Sequence, residues 1–195
     1  MTTRLPADQR RRQLLDIACR VFADTGFHAS AMDDIAHAAG VTEPVLYQHF
    51  ASKRALFIEV LQDVGGQLLA SLGMATAEAT TGRDRVQAGF AAYFRFVTEN
   101  EPAFRVLFGA SARNDADFAA IVDAVLEDVA EAISQLIEIE GTAEHRRVLA
   151  HAVIGIAEAT SRDALSADGT TLEPDRLAHW VAELAWFGLR GVRAD

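Results

Sequence analysis

The sequence predicts an all-α protein, in which a short N-terminal group of three helices precedes a longer helical bundle. Apolar residues recur at the three- and four-residue spacing of helices along the chain of 195 residues. Capping residues and glycines divide this pattern into segments of helical length. Hydrophobic residues make up 50% of the chain, which is enough to build a sizeable core in a soluble protein.

Charge divides the chain into two different parts. The net charge is −10, but residues 1–54 carry seven Lys or Arg and six Asp or Glu, whereas the remainder carries 11 basic and 22 acidic residues. Because acidic surface repels polyanions, only the N-terminal quarter is expected to approach a nucleic acid. The acidic remainder is expected to face away from it.

Cysteine content and hydropathy bear on the location of the protein. Cys19 is the single cysteine, which excludes an intramolecular disulfide framework and a Cys-rich zinc module. The sequence shows no apolar run of the roughly 18 residues that a membrane span needs, and its N-terminus lacks the apolar core of a signal peptide. These observations predict a cytoplasmic protein without a membrane partner.

The first two predicted helices both end at glycines. Apolar residues at helical spacing predict a helix over residues 13–23, which Gly26 terminates. Ser30 followed by Asp33 resembles a capping box and predicts a short second helix that ends at Gly40. Glycine suits both ends because it adopts the left-handed conformation that often follows a helix.

A third helix follows after a tight turn. Thr42 is a good N-cap, and Pro44 lies in the first turn, where its missing N–H costs little. Leu46 and Phe50 are four residues apart, so both are expected to anchor this helix in the core. The other side chains of the segment PVLYQHF are expected to face elsewhere, which predicts that this helix binds a partner.

The start of the next helix favours phosphate. Ser52 is predicted to cap this helix, and Lys53 and Arg54 lie near its N-terminus. Free backbone N–H groups and the helix dipole already favour anions at such a position. The segment therefore adds a phosphate-binding element beside the third helix.

These motifs together carry a family resemblance. The segment from Gly26 to Leu56, GFHASAMDDIAHAAGVTEPVLYQHFASKRAL, resembles the helix-turn-helix signature of TetR-type transcriptional regulators. The resemblance implies a DNA-binding domain over residues 1–55 and an effector-binding and dimerisation domain over residues 56–195. It also implies double-stranded operator DNA as a partner, contacted by Ser30, Thr42, Glu43, Pro44, Val45, Tyr47, Gln48, His49 and Lys53.

Different roles are expected within this DNA-binding set. The base contacts are expected from Pro44, Val45 and Gln48. The phosphate contacts are expected from Ser30, Thr42, Tyr47, His49 and Lys53. Ala31 and Glu43 depart from the family pattern, because Ala31 leaves the cap to Ser30 and Glu43 weakens the attraction for phosphate while remaining able to accept a hydrogen bond from cytosine. Taken singly, each side chain also fits an ordinary helix surface.

The region after Lys53 is predicted to form the bundle. Its first helix is expected to continue to about Ala79 through Gly65 and Gly66, which mark either a kink or a close packing point. Later aromatic and aliphatic stripes either form solid core or line an apolar cavity for a small hydrophobic effector with one polar group, such as a lipophilic drug, an aromatic compound or a fatty-acyl molecule. The candidate ligand-binding residues are Phe90, Phe94, Phe104, Phe108, Phe118, Val122, Val125 and His151.

Two further predicted helices end the chain on either side of the linker SADGTTLEPD. The first, RVLAHAVIGIAEAT, is apolar nearly all round. The second, LAHWVAELAWFGLRGV, is expected to carry Leu177 and Trp180 on one side and Trp186 and Leu189 on another. Helices with two apolar faces need two neighbours. We therefore expect a homodimer through these two helices, as the family resemblance also implies.

The sequence contains none of the common enzymatic motifs. We therefore expect a protein that is not an enzyme, without catalytic residues and without a cofactor. His145, His151 and Glu158 lie at spacings that allow a metal or acid–base set, although a histidine on an apolar helix more often belongs to a core or pocket. The predicted function is a ligand-responsive repressor that binds a palindromic operator as a homodimer and is released by its effector. The alternative is an all-α small-molecule or metal-binding protein that does not act on DNA.

Overall fold

A computed structural model describes residues 6–166 and 173–191 of the chain, and every regular element in this part is a helix. The predicted all-α fold class is therefore confirmed. The helices are α1 (Ala7–Ala29), α2 (Met32–Ala38), α3 (Glu43–His49), α4 (Lys53–Ala77), α5 (Gly82–Glu99), α6 (Glu101–Phe108), α7 (Ala110–Arg113), α8 (Ala116–Leu136), α9 (Ala143–Ala164) and α10 (Pro174–Gly191). Most of the predicted linker between α9 and α10 lies outside the described residues.

These helices form two compact units. The first unit comprises the described part of Met1–Gly66 together with Glu101–Asp123. The second unit comprises Gln67–Asn100 together with the described part of Ala124–Asp195. The functional boundary predicted between residues 55 and 56 is a different division of the chain, and it stays a prediction.

An aromatic cluster forms the centre of the first unit. Phe22, Phe27, Phe57 and Phe118 are all buried. The Phe57 ring centroid lies 4.9 Å from that of Phe22, 5.1 Å from that of Phe27 and 4.6 Å from that of Phe118. Edge-to-face and tilted rings at these separations stabilise a core beyond the area that they bury. Because Phe118 belongs to α8, the start of α8 is part of this core.

The end of α1 is fixed by a glycine and a side-chain contact. Gly26 interrupts the helical backbone with a φ of 78°, a value that favours glycine because a side chain would be strained there. The next backbone N–H, that of Phe27, donates to Ser111 Oγ at 3.1 Å. The prediction that the regular first helix stops at Gly26 is confirmed, although one more turn follows as far as Ala29.

In the second unit α5 packs against α9 and α10. Its Phe90 and Phe94 are buried and stack at 6.1 Å between centroids. At the start of α5, Gly82 allows the Trp186 ring to come close, because a Cβ at residue 82 would lie 3.2 Å from that ring. The Trp186 ring therefore packs against the start of α5, and the residue is only partly exposed.

α4 runs as one helix through Gly65 and Gly66. A side chain at Gly66 would meet no atom within 4 Å, so this residue is not a close packing point. By length and composition α4 would suffice to cross a membrane, which corrects the expectation that no apolar run is long enough. A single such helix is a weak indication, because core helices of soluble proteins meet the same criteria. The buried apolar side chains of α4 are Leu56, Phe57, Val60, Leu61, Val64 and Leu68.

Candidate functional site

The turn between α2 and α3 depends on Gly40. This glycine has a φ of 64°, and its N–H donates to the His37 carbonyl at 3.0 Å. The N–H of Val41 then donates to the Ala36 carbonyl at 3.0 Å. These bonds end α2 and direct the chain into Thr42, the N-cap of α3. The predicted helix, tight turn and helix are therefore present in the first unit.

α3 divides its residues sharply between the core and the surface. Leu46 and Phe50 are fully buried, as the sequence predicted. Thr42, Pro44, Tyr47 and Gln48 are exposed, and the other three predicted contact residues of this segment, Glu43, Val45 and His49, are partly exposed. The helix is thus anchored by two side chains and presents the rest outward.

The start of α2 differs from the prediction. Its N-cap is Ala31, and the Asp34 carboxylate accepts a hydrogen bond from the Ala31 N–H at 2.7 Å. The prediction that Ser30 and Asp33 form the capping box is therefore wrong, because the residues at these two positions are Ala31 and Asp34, one place later in the chain. Ser30 is buried, and its hydroxyl donates to the Phe27 carbonyl at 3.1 Å. The hydroxyl consequently faces the protein and is not presented to a phosphate.

Lys53 lies at the start of α4 and contacts the end of α1. Its ammonium group donates to the carbonyl oxygens of Phe27 and Ser30, both at 2.7 Å, and lies 4.6 Å from the Phe27 ring centroid. A cation at the carbonyl end of a helix is stabilised by the helix dipole. Because an ammonium group has three donors, these two bonds use two of the three N–H groups of Lys53.

Arg54, next to Lys53, is held by carboxylates. Its guanidinium donates to both oxygens of Asp115 and to Asp117, and it lies 4.4 Å from the Phe118 ring centroid. Hydrogen bonds from Arg54 lower the pKa of Asp115 to about 2. Arg54 therefore stabilises the first unit, and its charge is largely neutralised at the position where the sequence suggested a phosphate site. The predicted cap of α4 is confirmed, because Ser52 Oγ accepts from the Ala55 N–H at 3.1 Å.

The N-terminal arginines are also engaged within the first unit. Arg11 pairs with Glu59 and lies 4.8 Å from the Phe50 ring centroid. Arg12 pairs with Asp16 and Asp63. These contacts attach α1 to α4, so the basic run at the start of α1 has a structural role.

The predicted ligand-binding residues fall in both units. In the first unit Phe104, Phe108, Phe118 and Val122 are buried, and the ring of Phe104 lies 4.9 Å from that of Phe108. Phe118 is enclosed by the aromatic cluster and by Arg54, so we assign it to the core of the first unit.

In the second unit Phe90 and Phe94 are buried and Val125 is partly exposed. His151 corrects the prediction of a polar group within an apolar interior, because it is exposed and its Nε2 lies 3.4 Å from Glu127 Oε2. The same Glu127 pairs with Arg147 at 2.9 Å, and this arginine lowers the pKa of the Glu127 carboxyl. The physical reason is that Arg147 and His151 lie on an exposed part of α9, where both pair with Glu127 of α8.

The candidate metal or acid–base set is not assembled. His151 faces Glu127, whereas Glu158 pairs with Arg162 on the same helix. The His145 ring lies against Gly141, one turn before. Within residues 6–166 and 173–191, no group of three or more His, Cys, Asp or Glu is placed to hold a metal ion.

Sequence reasoning missed three polar residues. Asp115 caps α8 and accepts from the N–H groups of Asp117 and Phe118; an acid just before an apolar helical segment was a signal for this cap. Tyr93 and Ser161 are buried on α5 and α9, and neither hydroxyl has a hydrogen-bond partner. No sequence signal distinguishes these two from the ordinary polar residues of a helix surface.

Comparison with known families matches both regions of the chain. Residues 14–60 match the family described as bacterial regulatory proteins, tetR family. Residues 82–188 match the family described as tetracyclin repressor-like, C-terminal domain. The first match contains the whole of α2 and α3, together with their turn.

Two relatives from Mycolicibacterium smegmatis differ in the direction of control. The HTH-type transcriptional activator FasR is 36% identical over 191 residues, which cover 97% of this chain and 87% of that protein. The HTH-type transcriptional repressor KstR2 is 33% identical over 108 residues, which cover 55% of this chain and 52% of that protein.

Solved structures share the fold. A TetR-like transcriptional regulator from Rhodococcus sp. RHA1 has a TM-score of 0.78 and 29% identity, over 97% of this chain and 100% of that chain. FadR from Bacillus subtilis, in complex with stearoyl-CoA, has a TM-score of 0.76 and 18% identity, over 89% of this chain and 96% of that chain. AibR, in complex with isovaleryl coenzyme A and operator DNA, has a TM-score of 0.71 and 18% identity, over 90% of this chain and 97% of that chain. The chain therefore belongs to the TetR family of helix-turn-helix transcriptional regulators.

Proposed function

We propose that the protein binds a palindromic operator as a homodimer and is released from it by an acyl-CoA effector. The observation that supports DNA binding most directly is the division of α3. Leu46 and Phe50 are buried and hold the helix, while its remaining side chains are at least partly exposed. A short helix that uses two side chains for packing has the others free for the major groove.

The exposed side chains of α3 have the chemistry of base recognition. Gln48 carries an amide that donates to and accepts from adenine in the major groove. Pro44 and Val45 offer apolar contacts to thymine methyl groups. Glu43 accepts a hydrogen bond from a cytosine amino group, which compensates for its unfavourable charge near DNA.

Phosphate contacts surround these base contacts. Thr42, Tyr47 and His49 each provide a donor, and Lys53 provides the N–H that the carbonyls of α1 leave available. The Ser30 hydroxyl is engaged with Phe27, so we assign no phosphate contact to it.

Homodimerisation is supported by exposed apolar faces on α9 and α10. On α10, Trp180, Leu184 and Phe187 are 49%, 65% and 61% exposed. On α9, Val148 is exposed, and Ala152 and Gly155 are exposed one and two turns later. Apolar surface of this extent is typical of an interface. Because α9 and α10 contact each other, two copies related by a twofold axis bury both faces in a four-helix arrangement.

The effector class is inferred from chemistry and from two neighbours. The second unit contains the buried aromatic pair Phe90 and Phe94, which suits an apolar ligand. FadR from Bacillus subtilis was solved with stearoyl-CoA and AibR with isovaleryl coenzyme A. Among hydrophobic effectors with one polar group, an acyl-CoA therefore has the most support.

The direction of control depends on the operator position. Release from a site that overlaps the promoter raises transcription, which makes the protein a repressor, and this is the function we propose. Activation is the second candidate, because the relative FasR, 36% identical over 97% of this chain, is a transcriptional activator. A promoter fusion in a strain without the gene separates them, since reporter output rises for a repressor and falls for an activator.

Operator binding also determines where the protein acts. We infer a cytoplasmic location, because the bacterial chromosome lies there. We infer no membrane partner, since the apolar side chains of α4 from Leu56 to Leu68 are largely buried within the protein.

The DNA-binding proposal is tested by selecting bound genomic fragments and footprinting them. We expect protection of an inverted repeat whose half-sites lie about one helical turn apart, or at a larger spacing set by the dimer. Gln48→Ala should relax the preference at one base-pair position and cost roughly 1–3 kcal/mol there. The matched control is Gln62→Ala, an exposed glutamine of α4, which should bind like the wild type. A single unrepeated half-site, or equal effects of the two substitutions, would contradict the proposal.

The effector proposal is tested with the selected operator by fluorescence anisotropy. Stearoyl-CoA and isovaleryl-CoA are titrated into the complex, with free coenzyme A as the control. We expect release by one of the acyl-CoA compounds and none by coenzyme A. Retention of the operator at saturating concentrations of both compounds would exclude the effector class without affecting the assignment of the DNA-binding residues.

A further inference from the structure

Two buried hydroxyl groups in the second unit lack hydrogen bonds. Tyr93, on α5, is 8% exposed, and Ser161, on α9, is 1% exposed. Within the described part of the chain, Tyr93 Oη and Ser161 Oγ are the buried side-chain polar atoms without a partner. Native proteins rarely leave such groups unpaired, because the loss of hydration costs free energy. An unpaired buried group therefore points to a missing partner.

The two hydroxyls belong to one place in the fold. α5 and α9 contact each other. Burial raises the pKa of the Tyr93 phenol, and the Ser161 hydroxyl opposes that rise. This effect is of the hydrogen-bond type, so Ser161 lies close to Tyr93, but neither hydroxyl has a partner that meets normal hydrogen-bond geometry. Each hydroxyl remains able to donate its proton to a third group.

The surroundings of the pair favour a neutral acceptor over an anion. Arg162, whose charge acts on Tyr93, already pairs with Glu158. The charge of Glu158 further raises the pKa of Tyr93, so the local field disfavours additional negative charge. A buried carboxylate needs a cationic partner of its own. A carbonyl oxygen needs only the two donors.

Apolar side chains lie beside the two hydroxyls. The Tyr93 ring meets the Phe94 ring edge-on at 5.4 Å, and Phe94 stacks on Phe90. On α9 the residue one turn before Ser161 is the buried Ala157. Two hydroxyl groups next to aromatic and small apolar side chains suit a ligand in which one carbonyl group is joined to an apolar chain.

We propose that Tyr93 Oη and Ser161 Oγ both donate to the thioester carbonyl oxygen of the acyl-CoA effector. The inference rests on the proposed function for the class of effector and adds the residues that recognise its polar group. A carbonyl oxygen has two lone pairs and accepts both bonds. The pair thereby distinguishes an acyl thioester from an alkyl chain of equal length.

The experiment compares two ligands and two proteins by isothermal titration calorimetry below the critical micelle concentration. The ligands are stearoyl-CoA and its thioether analogue, in which a methylene group replaces the carbonyl. The wild type should bind stearoyl-CoA roughly 10- to 100-fold more tightly than the thioether, as expected for two net hydrogen bonds. Tyr93→Phe should remove most of this preference, and Ser161→Ala should reduce it. The control, Ser134→Ala, removes another buried hydroxyl that already donates to the Glu131 carbonyl, and it should retain the preference.

Results of three kinds would overturn the inference while leaving the effector class intact. The first is an unchanged preference in both Tyr93→Phe and Ser161→Ala, or no preference in the wild type although stearoyl-CoA releases the operator. The second is stronger binding of free stearate than of stearoyl-CoA, since that result would assign the pair to an anion. The third is a lower melting temperature of ligand-free Tyr93→Phe, because an unpaired hydroxyl adds no stability and its loss should not lower it. Failure of the wild type to bind any acyl-CoA would instead overturn the proposed effector class, and the inference with it.

Discussion

Arg54 and Asp115 form a two-point ion pair within the first unit. Arg54 Nη1 lies 2.9 Å from Oδ2 of Asp115, and Nη2 lies 2.8 Å from Oδ1. The same carboxylate accepts from the backbone N–H groups of Asp117 and Phe118. One carboxylate therefore caps α8 and also joins its start to the start of α4, directly after the segment that contains α3.

We expect Asp115→Asn to lower the melting temperature at pH 7. Hydrogen bonds from Arg54 lower the pKa of Asp115 from 3.8 to about 2. Because the folded-state pKa is below the unfolded value, the ion pair stabilises the fold fully above the unfolded value, and this contribution is lost as pH falls towards about 2. The difference in melting temperature between wild type and variant should therefore shrink across that window. Asp123→Asn, an exposed acid of α8, is the control, and a difference that stays constant with pH would contradict this account.

Lys53→Ala is expected to have two separable effects. Loss of the bonds to the Phe27 and Ser30 carbonyls should lower the free energy of unfolding by about 1–2 kcal/mol. Loss of one phosphate contact should weaken binding to all DNA sequences. It should also reduce the slope of the logarithm of the binding constant against the logarithm of salt concentration by about one. Urea unfolding measures the first effect and salt-dependent anisotropy the second. Arg20→Ala, an exposed arginine of α1, should change neither quantity, and an unchanged stability of Lys53→Ala would argue against the capping role.

Two glycine substitutions should change stability in opposite directions. Gly40 has a φ of 64°, so Gly40→Ala should lower the free energy of unfolding by about 1–2 kcal/mol. Gly66 lies inside α4, and an added Cβ meets nothing within 4 Å, so Gly66→Ala should raise it by about 0.5–1 kcal/mol. Chemical unfolding of both variants measures these changes. If the free energy of unfolding changed in the same direction in both variants, the assigned backbone roles would be contradicted.

Charges placed on α10 should disrupt the homodimer. Leu184 and Phe187 are exposed, and we expect Leu184→Glu and Phe187→Glu to yield helical monomers, because an unpaired charge is costly in an apolar interface. Sedimentation velocity gives the assembly state and circular dichroism the helix content. Met74→Glu is the matched control, since Met74 is an exposed apolar residue on α4, and it should remain a dimer. An intact dimer in both α10 variants would place the interface elsewhere.

Helix positions followed from the sequence because they depend on local chemistry. The spacing of Leu46 and Phe50 predicted the buried side of α3 correctly, and Gly26 and Gly40 both have a positive φ, as their places after predicted helices suggested. Each of these features is determined within a few residues, so periodicity and glycine placement suffice to find it.

Pairings between distant residues did not follow from the sequence. Arg54 was expected near phosphate, yet it pairs with Asp115, 61 residues away. Trp180 and Trp186 were assigned to different sides of α10, but the packing of Trp186 against Gly82 could not be read from helical spacing. Which of two apolar faces meets the core is decided by tertiary contacts, and a single sequence does not contain these in readable form.

The burial of Leu46 and Phe50 beneath exposed neighbours has a consequence for redesign. Replacements at Thr42, Pro44 and Gln48 change side chains that are exposed, so they leave the interior of the first unit intact. If the proposed DNA contacts are made, transplanting these outward positions from another family member should exchange the operator preference, while Leu46, Phe50 and Gly40 keep the scaffold constant. The exposed residues of this helix can therefore vary while the residues that hold it in the first unit stay the same.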